Sequence, residues 1–161
     1  TYSRVGRRQR STEDVDLSKL LDNIVDSLAP PPQFAVTVAP GLPTLHTCKS
    51  TLSRVLSNLI DNALKHHNGD TGNISVTCTD RGQEVELAIA DDGPGIDPQY
   101  HDRIFTIFQT LKARDDFEST GIGLAVVRKI IEAECGRIWL ESALGEGTTF
   151  FFTWPKLSSA S

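Results

Sequence analysis

Two runs of alternating side chains, set on either side of Asp80-Arg81-Gly82, constrain this chain more than any other feature. Ile74, Val76 and Cys78 alternate with polar residues over 73–79, and Val85, Leu87 and Ile89 do so over 84–90. The short Gly-containing connection between them predicts a β-hairpin. Such a hairpin buries one face and wets the other, so helices must cover the apolar side. One candidate runs from about 49 to 67, where Leu52, Val55, Leu56, Leu59 and Ala63 form a stripe and Asn68-Gly69-Asp70 stops it. Another starts at Asp16 as N-cap, carries Leu17, Leu20, Leu21, Ile24, Val25 and Leu28, and ends at Ala29-Pro30-Pro31-Pro32. A third, apolar-rich, spans 121–135, and Asp97 caps a further helix from Pro98. Further strands are expected over 34–38, 137–141 and 148–154, the last two flanking Leu144-Gly145-Glu146-Gly147. The implied fold is an α/β (α+β) two-layer sandwich: one mixed, largely antiparallel five-stranded sheet with helices packed on one face.

A length of 161 residues suits one domain. We expect a linker over 1–14, the folded domain over 15–156 and a tail over 157–161. The chain starts without Met and ends abruptly, as an excised fragment would, and it is expected to be monomeric. A net charge of −5 argues against a nucleic-acid surface and means that a polyanionic ligand needs backbone N–H groups, a few cations or a metal. No apolar run approaches the ~20 residues of a membrane helix, and no signal-peptide pattern opens the chain, so no direct membrane contact is expected. Cys48, Cys78 and Cys135 are scattered and odd in number, which fits free thiols in a reducing compartment such as the cytoplasm.

Four constellations carry possible chemistry. Asn58, Asn62 and Lys65 lie together on a flank of the 49–67 stripe. Amides at a core boundary need partners; they could cap neighbouring loops, or the Asn oxygen could serve Mg2+ and the Lys a phosphate. Asp91-Asp92-Gly93-Pro94-Gly95-Ile96 follows a strand, where glycines admit a ligand close to the backbone and a carboxylate can accept from an amine. Ser119-Thr120-Gly121-Ile122-Gly123-Leu124 opens a helix, leaving N–H groups for phosphate oxygens, although a flexible hinge has the same composition. Gly145-Glu146-Gly147-Thr148-Thr149-Phe150 taken alone is a Gly turn entering a strand.

In this order and spacing, the set resembles the histidine-kinase branch of the ATPase superfamily that includes DNA gyrase, the heat-shock chaperone and mismatch-repair ATPases. The stretch from Ser57 to His66 looks like that family's N box, Asp91 to Ile96 its G1 box, and Arg103 to Phe108 its F box. Thr120 to Leu124 looks like its G2 box and Gly145 to Phe150 its terminal Gly box. The resemblance implies that Asn62 coordinates Mg2+ bridging the ATP phosphates, with Asn58 and Lys65 nearby. Asp91 would accept from the adenine amine, since the family reads D-x-G-x-G. Gly93 and Gly95 would permit close approach, Ile96 and Phe105 would line the nucleotide site, and Thr148 would support Asp91. Residues 109–120 would form a mobile lid, with Thr120, Gly121, Ile122, Gly123 and Leu124 at the phosphates. Lys112 and Arg114 are either phosphate partners or solvated charges. Asp92 stands where the family has Asn, Ser119 where it often has Gly, Cys48 where Asp is common, and Cys135 in the first place of a frequent Gly-Gly pair.

Relatives that hydrolyse ATP carry a Glu one helical turn before the metal-binding Asn, as general base. Here that position is Asn58, which takes no proton at neutral pH. The resemblance therefore implies a histidine protein kinase domain, which passes the γ-phosphate to a His supplied from elsewhere. The family's acceptor signature is absent around His46, His66, His67 and His101. Hence the expected partners are an upstream dimerisation and acceptor hairpin of the parent protein, and a response-regulator receiver domain. Two other readings remain: a serine kinase acting on an anti-sigma-factor antagonist, and a nucleotide-binding module without catalysis.

Overall fold

A computed structural model describes residues 12–29, 32–65, 72–93, 95, 114–142, 145 and 147–157, with the backbone alone for 65 and 114–123. In chain order the elements are β1 (Glu13–Asp16), α1 (Leu17–Leu28), β2 (Phe34–Val38), β3 (Thr44–Thr47), α2 (Lys49–Lys65), β4 (Gly72–Asp80), β5 (Glu84–Asp91), α3 (Arg114–Ala133), β6 (Ile138–Ser142) and β7 (Thr148–Pro155). The expected helix from Pro98 lies outside the described residues.

The main sheet has the order β2-β4-β5-β7-β6; β2 and β4 are parallel, and the remaining neighbours are antiparallel. This is the mixed five-stranded sheet that the patterning implies. The hairpin sits where expected: Gly82 takes φ +96, and its N–H donates to Asp80 Oδ1 at 2.8 Å. Alternation then decides what is buried. Val85, Leu87 and Ile89 oppose Trp154, Phe152 and Phe150 across the β5–β7 ladder, and all are buried. On the other face Trp139 stacks on Phe151 at 5.4 Å, and the Arg137 guanidinium lies 5.1 Å from the Trp139 ring.

The helices close the apolar face. Asp16 caps α1, accepting from the N–H of Ser18 at 2.9 Å, and Leu17, Leu20, Leu21 and Ile24 turn inward. Leu52, Val55, Leu56, Leu59 and Ile60 of α2 are fully buried, packed with Leu124, Val127 and Ile131 of α3 in one core. Burying a large aliphatic side chain contributes about 1.5–3 kcal/mol, so this stripe is the main reason a helix forms here. Leu52 N–H donates to the Cys48 carbonyl at 3.1 Å, and the Thr51 hydroxyl donates to Cys48 Sγ at 3.1 Å. The Cys48 thiol also takes hydrogen bonds from the Ser50 and Thr51 backbone, as a capping side chain does.

Three features depart from the sequence expectation. First, β1 and β3 form a separate two-stranded antiparallel sheet, with Val15 opposite Leu45. Trp154 Nε1 donates to Thr47 Oγ1 at 3.0 Å, which ties this ribbon to β7. Second, α3 begins at Arg114 rather than at Gly121. Asp115, Asp116 and Glu118 stand near this start in the sequence, where a helix N-terminus favours acidic residues. Third, α3 ends in a Schellman turn: Gly136 N–H donates to the Ile131 carbonyl and Cys135 N–H to the Glu132 carbonyl, both at 2.9 Å. Cys135 occupies the left-handed position with φ +66, where glycine is the usual residue.

Candidate functional site

The strand period carries Asp91 to the helix-covered side of the sheet, in line with Val85, Leu87 and Ile89. Directly opposite it on β7 stands Thr148, 5% exposed, and opposite Thr148 on β6 stands Ser142. Asp91 Oδ1 accepts from the Gly93 N–H at 2.9 Å, which orients the carboxylate and folds the following loop back on it. Asp92 does something else. Its carboxylate is exposed and accepts from the Asn73 N–H at 2.9 Å and from Asn73 Nδ2 at 3.3 Å, pinning the loop to the start of β4. Geometry therefore gives the two neighbouring acids different surroundings.

Gly147 is fixed by close approach as well as by φ +83: a Cβ there would lie 2.2 Å from the Asp91 carbonyl oxygen. The Gly box thus presses directly on the residue that ends β5. Ser142 Oγ donates to the Gly147 carbonyl at 2.8 Å and lies 2.9 Å from Thr148 Oγ1. Neither Ser142 nor Asn73 was among the residues that the sequence points to. The available signal for Ser142 was a hydroxyl at an inward position of an alternating strand, after Ile138 and Leu140.

Across the interior, α2 supplies the amides. Asn62 is 6% exposed, and among the described residues its Oδ1 has no hydrogen-bond partner. An orphaned buried acceptor costs about 1–3 kcal/mol, so one is retained where a ligand completes it. A carbonyl oxygen of this kind suits a hard cation such as Mg2+. Asn58 lies one helical turn earlier and is half-buried; Lys65 closes the helix. The described contacts therefore bring together Asp91, Gly93 and Thr148, and they place Asn58 and Asn62 on one flank of α2. Gly95 takes φ +82. Ile96 and Phe105 lie outside the described residues. Thr120, Gly121, Ile122, Gly123 and Leu124 fall inside α3, and Leu124 is buried in the core. The N–H groups expected to open a helix at Gly121 lie in its interior instead. Of the lid segment 109–120, residues 114–120 are helical and 109–113 lie outside the described residues.

Two thiols are perturbed. Burial pushes the Cys48 thiol up, but hydrogen bonds from Ser50 and Thr51 outweigh it and leave its pKa lowered. Burial, helped by the Asp80 charge, raises that of Cys78. Among the described residues no group of three or more His, Cys, Asp or Glu is placed to hold a metal, and no helix is long and apolar enough to cross a membrane.

Residues 47–158 match the family described as histidine kinase-, DNA gyrase B- and HSP90-like ATPase. Cyanobacterial phytochrome A of Nostoc sp. is 40% identical over 158 residues, which is 96% of this chain and 20% of that protein. Full-length ShkA in complex with AMPPNP superposes with a TM-score of 0.75 at 27% identity, over 94% of this chain and 32% of that one. The catalytic domain of histidine kinase ThkA superposes with a TM-score of 0.73 at 26% identity, over 93% of this chain and 99% of that domain; ThkA is also known in complex with the response regulator TrrA. The chain spans about a fifth of the length of the first curated relatives it matches. It belongs to the histidine kinase-, DNA gyrase B- and HSP90-like ATPase family, as an ATP-binding catalytic domain of the histidine-kinase branch.

Proposed function

We propose that this domain binds Mg-ATP and passes the γ-phosphoryl group to a histidine on a helical-hairpin domain of its parent protein. The observation that carries the reading is the buried, unpartnered Oδ1 of Asn62. Asn62 would hold Mg2+, which supplies positive charge to the phosphate oxygens, with Asn58 and Lys65 beside it. Asp91 would accept from the adenine amine, steadied by Gly93 and Thr148. Gly95, Ile96 and Phe105 would close the base and ribose side. Thr120, Gly121, Ile122, Gly123 and Leu124 would border the phosphates. Their N–H groups become available if the first turns of α3 unwind, and Gly121 and Gly123 lower the cost of that by about 1 kcal/mol each.

Transfer breaks the bond between the γ-phosphorus and the β–γ bridging oxygen and forms one to an imidazole nitrogen; ADP leaves. Such a reaction needs positioning and charge stabilisation more than protein bases. Asn58 fits that demand, because an amide cannot activate water. The same reading makes a response-regulator receiver domain the next acceptor, consistent with the ThkA–TrrA complex. It also makes residues 1–14 the linker and the end of the upstream dimerisation and acceptor helix, and puts the parent's kinase machinery in the cytoplasm.

The test is to mix this chain with Mg-ATP and a separately made acceptor hairpin. Acid-labile, base-stable phosphate on the hairpin is expected. Acid-stable phosphate on a serine would favour the anti-sigma-type kinase, and nucleotide binding without transfer would favour a module without catalysis.

A further inference from the structure

One row of the sheet differs from the rest of the helix-covered face. Ile89, Phe150 and Leu140 form an apolar row across β5, β7 and β6, and so do Leu87, Phe152 and Ile138. The row at the end of the strands is polar: Asp91, Thr148 and Ser142.

The direction of the hydrogen bonds in this row follows from counting protons. A serine hydroxyl has one proton and a carbonyl has none. Ser142 Oγ lies 2.8 Å from the Gly147 carbonyl, so its proton is committed there. The bond of 2.9 Å between Ser142 Oγ and Thr148 Oγ1 must then be donated by Thr148. That leaves Thr148 Oγ1 with lone pairs only. Its neighbour across the ladder is the Asp91 carboxylate, which accepts from the Gly93 N–H and has no proton to give. Directly opposed residues place their Cβ atoms about 4.5–5.5 Å apart, close enough for one ligand group to meet both. The chain of bonds cannot reverse, because it starts at a backbone carbonyl. That carbonyl is itself held by the φ of +83 at Gly147 and its contact with Asp91.

We propose that Ser142 is a positioning residue for base specificity: by accepting the Thr148 proton it keeps both polar groups of the base site as acceptors, and so selects a 6-amino purine over a 6-oxo purine. An amine brings two N–H donors to two acceptors. A 6-oxo group in the same place meets oxygen lone pairs on both sides, with no proton between. The proposal rests on the nucleotide-binding reading above and adds to it a residue that does not itself touch the base.

The experiment is calorimetric titration of the whole chain with ADP and with IDP, which differ in the 6-substituent and in the proton that hypoxanthine carries on N1, in the presence of Mg2+; the change in their ratio between variants isolates the Thr148 contact. The wild type is expected to prefer ADP. In Ser142→Ala the Thr148 hydroxyl turns freely and can donate to a 6-oxo group. The ADP/IDP affinity ratio should therefore fall about threefold to tenfold, the range for one neutral hydrogen bond. Ser142→Thr should restore the ratio, and Ser142→Ala added to Thr148→Val should leave the ratio of the single Thr148 variant unchanged. If Ser142→Ala does not fold, Ser142→Cys, which fills the space with a weak hydrogen-bonding group, carries the same measurement. A folded Ser142 variant that loses ADP and IDP affinity equally, with the ratio intact, overturns the proposal and leaves nucleotide binding standing. A folded wild type that binds neither ligand overturns the nucleotide reading instead.

Discussion

Replacing Asn62 by leucine should make the free domain no less stable while removing its response to nucleotide. The side chain is 6% exposed, and its Oδ1 has no partner among the described residues, so in the free protein the residue carries a desolvated acceptor. Such a group costs about 1–3 kcal/mol, and leucine of similar volume removes that cost while filling the same space. Part of the gain is offset by strain from a branched side chain, so we expect Asn62→Leu to be neutral or to gain about 1 kcal/mol without ligand. With Mg-ADP at a hundred times its Kd, the wild type should gain about 2.7 kcal/mol by linkage, and the variant almost none. The two stability curves therefore cross as nucleotide is added. Urea unfolding followed by far-UV circular dichroism, with and without Mg-ADP, reads both limbs, provided the slope m is the same for both proteins. A loss of 2 kcal/mol or more in the ligand-free variant would refute the reasoning, since it would mean that Asn62 is a structural residue.

Asp91→Asn should lower ADP affinity about tenfold to a hundredfold, the worth of a charge-assisted hydrogen bond, whereas Asp92→Asn keeps an oxygen for Asn73 and should change it little. Equal losses by calorimetry would show that the register of the two acids is wrong. Cys135→Gly should stabilise the fold by about 0.5–1 kcal/mol: the left-handed backbone costs about 1–2 kcal/mol for a side-chain-bearing residue, glycine returns part of that as unfolded-state entropy, and the exposed thiol loses no burial. For a chain of this length that is a rise of about 1–4 °C in Tm, and a fall would contradict the Schellman assignment. Without an acceptor protein, ATP hydrolysis should be slow, because a general base typically contributes ~10²–10⁴ in rate and Asn58 cannot act as one. Turnover comparable to that of a chaperone-type ATPase would point to a self-contained ATPase.

What was legible in the sequence was what period and local turn chemistry determine. The alternation of Val85, Leu87 and Ile89 fixed β5, and with it the face on which Asp91 emerges. Asp16 announced α1 because an N-cap acts within three residues. The β1–β3 ribbon was not legible: each strand has four residues, and the pairing of Val15 with Leu45 is a long-range contact that no local pattern encodes. The start of α3 was missed for the opposite reason. Gly121 and Gly123 suggested a helix boundary, while three acids upstream favoured an earlier one, and local propensities of about 1 kcal/mol cannot rank such alternatives. At the site, the distinction between Asp91 and Asp92 came from the D-x-G-x-G register of the family resemblance. The Ser142–Thr148 pair could not be read from the sequence, because it depends on how β6 registers against β7.

The described polar groups of the site share one property with consequences for binding. Asp91, Thr148 and Asn62 all present oxygen acceptors, on a chain whose net charge is −5. A polyanion does not approach such a surface favourably by itself; the donors and the positive charge must come with the ligand or from the backbone. The amine of the base would be one donor, and a divalent cation at the phosphates would supply the charge. The two contributions should separate experimentally. Chelating Mg2+ with EDTA should weaken ADP binding about tenfold or more, the scale of a charge-assisted contact, and should leave adenosine binding unchanged because it uses only the Asp91 end. Calorimetry with both ligands, with and without EDTA, measures this directly. ADP affinity that is indifferent to EDTA would mean that cationic side chains neutralise the phosphates and that the Asn62 oxygen has another purpose.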